Sequence, residues 1–177
     1  MTATDEARAK TGRSCGDCAL CCKLLDIKAL DKPGGEWCPH CSTRQKCDIY
    51  LSRPETCDTF NCGYITQSGV GEEWYPGRSR MIINVAGDGE HVFIIVDPAR
   101  PDAWRKAPYY QQMKQWALAN NGTGKQIIIS INRRYIVIFP DREVDIGTVG
   151  DDETVTFTVT QTIAGPVTEA HKTKIAN

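Results

Sequence analysis

Downstream of Gly63 the apolar positions fall into short runs with turn residues between them. Met81–Ala86 and His91–Val96 are strand-sized and separated by Gly87-Asp88-Gly89-Glu90, which predicts a β-hairpin. Gln126–Ile131 and Arg134–Phe139 are richer in Ile and Val, with only Asn132-Arg133 between them. They predict a second, two-residue hairpin with both faces covered. Between the hairpins the period changes. Tyr109, Met113, Trp116 and Asn120 recur at helical spacing with Ala117 beside them, so a helix is expected from Pro108 to about Asn120, stopped by Asn121-Gly122. Arg142–Val149 and Glu153–Thr160 read as a third, more exposed strand pair, the latter alternating Thr with Val and Phe. The tail from Ala164 is expected to be loosely attached. The fold class this predicts is α+β, a small antiparallel sheet carrying one main helix.

The first third of the chain follows no such pattern. Residues 1–14 are polar and predict a flexible leader, with a turn of helix in Thr2–Lys10 on propensity alone. The one short apolar segment is Lys23-Leu24-Leu25-Asp26-Ile27. What marks the region is sulfur. All nine cysteines, Cys15, Cys18, Cys21, Cys22, Cys38, Cys41, Cys47, Cys57 and Cys62, lie within it. Three segments follow: the leader at 1–14, a cysteine-cluster metal-binding module with short helices at 15–63, and an α+β domain at 64–177, the last two free to pack as one unit. A segment of some fifty residues buries too little apolar surface to fold alone, and a structural zinc would add on the order of 10 kcal/mol.

The spacing is what metal chemistry needs. Two residues between cysteines allow a tight turn that aims both sulfurs at one ion, and Cys15-x-x-Cys18-x-x-Cys21 repeats that spacing as Fe–S sites do. Cys22 follows Cys21 directly, so the two side chains diverge toward different ions, or one is a free thiolate. Cys38-Pro39-His40-Cys41 is a second knuckle, with His40 as a further ligand or a solvated knuckle residue. Cys47, Cys57 and Cys62 complete the donor set, and the Arg53-Pro54 step between them ends one helical turn and opens another. Nine thiols allow two four-cysteine sites, or one site and spare thiolates. Zinc is slightly favoured by the paired knuckles, an iron–sulfur cluster by the triple-spaced run.

Composition narrows the setting. The formal net charge is −1, from 21 basic and 22 acidic residues, so no global field holds the chain on nucleic acid or an anionic membrane. No apolar run approaches the ~20 residues of a membrane helix. The polar N-terminal stretch lacks the apolar core of a signal peptide, which predicts a cytoplasmic protein with reduced thiols. An odd cysteine count also argues against a disulfide framework.

The order Cys15, Cys18, Cys21, Cys22, then Cys38, then Cys47-x-Ile49-Tyr50-x-x-Arg53-Pro54-x-x-Cys57-x-x-Phe60 resembles the cysteine-cluster family named for its CxxCxxCC motif. The resemblance covers about residues 15–62. It implies a zinc- or iron-chelating protein of a mostly bacterial family and leaves the activity open. Asp58 departs from the arginine that family usually carries, and His40 and Cys41 look like local additions.

Outside the cysteines no catalytic constellation is visible. Gly122-Thr123-Gly124-Lys125 lacks the first glycine and the terminal Ser/Thr of a phosphate loop. The expected function is a metal-binding protein with a structural or partner-docking role, the partner being an unidentified protein. The alternatives are an iron–sulfur redox protein or accessory factor of an enzyme, and a metal-handling or metal-sensing protein. The last would use Cys22 or Cys41 as an exposed thiolate.

Overall fold

The computed structural model describes residues 11–42, 47–85, 91–163 and 165–175. The expected turn in Thr2–Lys10, the Gly87–Glu90 turn and Ala164 lie outside the described residues. The fold is α+β. The described residues include the short helices α1 (Leu20–Leu24), α2 (Glu55–Thr59), α3 (Gly63–Thr66) and α4 (Pro76–Ser79). Strands β1 (Met81–Val85) and β2 (His91–Val96), helix α5 (Tyr109–Ala119) and strands β3 (Gln126–Ile131), β4 (Arg134–Ile138) and β5 (Glu143–Thr148) follow. Two ten-residue strands, β6 (Glu153–Thr162) and β7 (Gly165–Lys174), close the chain.

Strands β1 to β5 form one sheet in sequence order. The β3–β4 hairpin turns on Asn132 and Arg133, with φ of 45° and 67°. Two successive left-handed residues make the turn whose twist matches the strands it joins. Its register sets Ile127 opposite Ile138 and Ile129 opposite Ile136. Burial runs unbroken along Ile127–Ile129 and Ile136–Ile138, as expected of strands covered on both faces. Helix α5 buries Met113 and Ala117, one turn apart on the predicted stripe.

Three expectations need correction. The sheet is mixed, not wholly antiparallel. β2 and β3 are neighbours joined through α5, and a helical crossover is the connection parallel neighbours require. Second, β5 pairs antiparallel with β4 rather than with β6. Third, β6 takes β7 as its partner over ten residue pairs, Glu153↔Lys174 to Thr162↔Gly165, so the tail is a strand. Gly165–Lys174 carries no apolar run, and its place in the ribbon is decided by backbone pairing.

By compactness the chain divides into Met1–Asn84 with Ile95–Ala103, and Val85–Ile94 with Trp104–Asn177. The first unit carries every cysteine and is centred on Leu20, Leu24, Tyr64, Ile65, Trp74 and Ile82. The second is centred on Met113 and the inner residues of β3 and β4. Among the described residues no helix is long and apolar enough to cross a membrane.

Candidate metal centre

Both knuckles form. The Cys18 amide donates to the Cys15 carbonyl at 2.9 Å, with Gly16 at φ 52° making the turn, and the Cys41 amide donates to the Cys38 carbonyl at 3.0 Å. Cys21 and Cys22 sit on α1, where successive side chains point about 100° apart. The Cys38 amide donates to the Cys22 carbonyl at 2.9 Å, which seats the second knuckle on α1. Cys41 and Cys47 meet in an isolated antiparallel bridge. Pro54 stands at the cap of α2, which carries Cys57, and Cys62 stands at the cap of α3.

These elements gather eight of the nine thiols, all but Cys41, on the wall of one cavity of about 160 Å³. Leu25, Ile27, Ile49 and Phe60 supply apolar wall between them. All nine cysteines are free thiols.

The thiols sort into two sets. Burial pushes Cys62 up to about 11, and the charges of Cys18 and Cys15 add to it. The backbone amides of Tyr64 and Ile83 face its sulfur and oppose the rise. Cys18 is likewise raised by burial, with the Leu20 amide at its sulfur working the other way. Cys15, Cys18 and Cys62 thus form one set, in which each thiol feels the charge of another. In the other, Cys22 is raised by its hydrogen bond to Cys21 and by burial, and it accepts a hydrogen bond from Cys41. Cys41 is pushed up to about 11 by burial and by Cys22, Cys38 and Cys47. Burial raises Cys57 too, helped by Cys22, Cys38 and Cys47. Cys21 belongs beside both sets: it touches Cys22, and with Cys18, Cys62 and Phe60 it packs against Leu20, Leu24 and Ile82.

His40 is half-buried, does not line the cavity, and uses its carbonyl to accept the Asp48 amide at 2.9 Å. Residues other than cysteine also stand near the thiols. Lys32 is buried, and its ammonium donates to the carbonyls of Lys23, at 2.7 Å, and Leu25. Burial lowers its proton affinity, while Cys38, Cys22, the exposed Asp26 and Cys21 raise it. Tyr75 donates its hydroxyl to the Cys15 carbonyl at 3.3 Å. Arg53 stacks on Tyr50 and pairs with Asp58, all three on the cavity wall. The Arg53-Pro54 step signals the turn there; Lys32, in a Pro/Gly turn, carries no sequence signal.

Among the described residues no group of three or more His, Cys, Asp and Glu side chains is arranged so as to hold a metal ion. The convergence is of donors on one cavity, not a closed coordination shell. The donor set nevertheless fits a thiophilic ion or an iron–sulfur cluster, since eight thiols stand on the wall and amides face two of them.

No family model, no curated protein and no solved structure matches this chain.

Proposed function

We propose that this protein binds metal through its clustered cysteines, and that the ion orders the first compact unit. The observation that carries the reading is the convergence of eight thiols on one cavity, in a chain with all nine cysteines free. The CxxCxxCC-type order of residues 15–62 points the same way. Cys15, Cys18, Cys62 and Cys21 would serve one ion, and Cys22, Cys38, Cys47 and Cys57 a second, with Cys41 beside Cys22. Four thiolates per ion is the closed composition of a structural zinc site. Such a centre stabilises a surface for a protein partner and leaves no open position for catalysis.

A second reading has its own support. Cys18, Cys21 and Cys62 pack against Leu20, Leu24 and Ile82. A triple-spaced run in an apolar shell suits an iron–sulfur cluster, whose potential depends on burial and on hydrogen bonds to sulfur. That protein would carry electrons or serve a redox enzyme.

Elemental analysis and a visible spectrum of protein purified without oxygen separate the two. Zinc at one or two per chain, without colour, supports the first reading. Iron with matching acid-labile sulfide and absorbance near ~400 nm, as expected of thiolate-held clusters, supports the second. Protein that takes up neither, with thiols intact, overturns both.

A further inference from the structure

Lys32 is buried, and among the described residues no buried carboxylate pairs with its ammonium. It is 3% exposed. Among the described residues it forms no ion pair with a carboxylate. A buried charge in a native protein is paired or it is costly. Backbone carbonyls satisfy its hydrogen bonds but bring no net charge.

Its position says what would. The carbonyls it reaches belong to Lys23 and Leu25, directly beyond Cys21-Cys22 on α1. The Cys22 carbonyl holds the Cys38 amide at the same end of the helix. Strand-like bonds between Ile27 and Lys32, at 2.8 and 3.2 Å, fix the backbone that carries the ammonium. The buried Lys32 ammonium is therefore tied down at the helix end where Cys22 and Cys38 meet.

We propose that Lys32 is the internal counter-cation of the thiolate centre at Cys22 and Cys38, and that the group bound there carries net negative charge. This rests on the metal-binding reading above. A divalent ion in four thiolates carries a net charge of about −2, and such a complex forms more readily beside a fixed positive charge. Lys32 thus selects for thiolate-rich complexes of soft divalent ions. Capping the carbonyls of α1 is the purely structural role against which this is tested.

The test titrates the reduced full-length protein with Co²⁺, following thiolate-to-metal charge-transfer absorbance, in wild type, Lys32→Gln and Lys32→Arg. Gln keeps donors for the two carbonyls and loses the charge; Arg keeps the charge in a bulkier shape. The expected result is Co²⁺ affinity roughly tenfold or more weaker in Lys32→Gln, the scale of a neighbouring opposite charge on a thiolate, with Lys32→Arg closer to wild type. Equal affinity in Lys32→Gln and wild type, or an Arg variant as weak as Gln, overturns the counter-cation and leaves the metal reading standing. Wild type that binds no Co²⁺ overturns both. Should Lys32→Gln fail to fold, Lys32→Met decides. A metal-free urea midpoint at or above wild type, together with weaker Co²⁺ binding, supports the proposal; a parallel fall in both overturns it.

Discussion

Lys23 Nζ lies 2.6 Å from Oδ1 of Asp97, whose side chain has no exposed surface. Arg80 pairs with the other carboxylate oxygen, and the Ala99 amide donates to Oδ1 at 3.0 Å. Lys23 follows Cys21-Cys22 on α1, and Asp97 directly follows β2. The buried carboxylate thereby fixes the helix that carries two of the candidate ligands.

Removing the charge at Asp97 exposes this dependence. Asp97→Asn strands Lys23, and losing one partner of a buried pair costs about 3 kcal/mol or more. Burial pushes the Asp97 carboxyl up, but the bonds from Lys23, Ala99 and Arg80 outweigh it and hold it below its ordinary value. The ionised form is thus favoured in the folded state. Its contribution is complete above the unfolded value of about 3.9 and is lost as pH falls through the lower folded value. Urea midpoints measured from neutral pH downward should fall more steeply below about pH 4 for wild type than for Asp97→Asn. Parallel curves would remove Asp97 from the acid response.

The two thiol sets predict separable losses. Cys18→Ser and Cys62→Ser should lose the same ion, and Cys38→Ser and Cys57→Ser the other. Cys41→Ser, whose thiol does not line the cavity, should keep both. Native mass spectrometry of the variants counts the ions. A single variant that empties the protein would show one shared centre.

Gly63 leaves no room for a methyl group. A Cβ there would sit 2.6 Å from Ile83 Cγ2 and 2.8 Å from Ile83 Cβ. Gly63 opens α3 next to Cys62, whose sulfur the Ile83 amide faces. Gly63→Ala should therefore destabilise by about 1–3 kcal/mol, the usual cost of overpacking, and slow metal uptake at Cys62. Chemical denaturation with metal-uptake kinetics checks both, and an unchanged midpoint would show that Ile83 yields without cost.

The second compact unit offers a plainer test. Met113 on α5 is fully buried. Met113→Ala should lower stability by about 2–5 kcal/mol through lost burial and the cavity left behind. Thermal unfolding and amide exchange along α5 measure it.

How much of this could be read in advance depends on which interactions are local. Asn132-Arg133 and the Ile/Val runs beside it announce the β3–β4 hairpin, because the turn and both strands lie within thirteen residues. The α5 stripe is equally local. β7 was invisible, since Pro166, Glu169, His171 and Lys172 carry no strand pattern and the backbone finds its partner in β6. The parallel element of the sheet was missed for a related reason: periodicity reports which residues are buried, not which strands become neighbours.

For the candidate centre the same line falls between spacing and convergence. Cys15-x-x-Cys18 and Cys38-x-x-Cys41 close their own turns through bonds three residues apart, so the sequence by itself determined these turns. That Cys62 lies near Cys15 and Cys18, while Cys57 lies near Cys22, Cys38 and Cys47, depends on segments far apart in the sequence coming together. The same holds for Lys32 and Asp97. A lysine in a Pro/Gly turn and an aspartate ahead of a proline read as surface residues. Only tertiary packing buried their charges, because burial depends on what the rest of the chain brings against a residue, which no local pattern encodes.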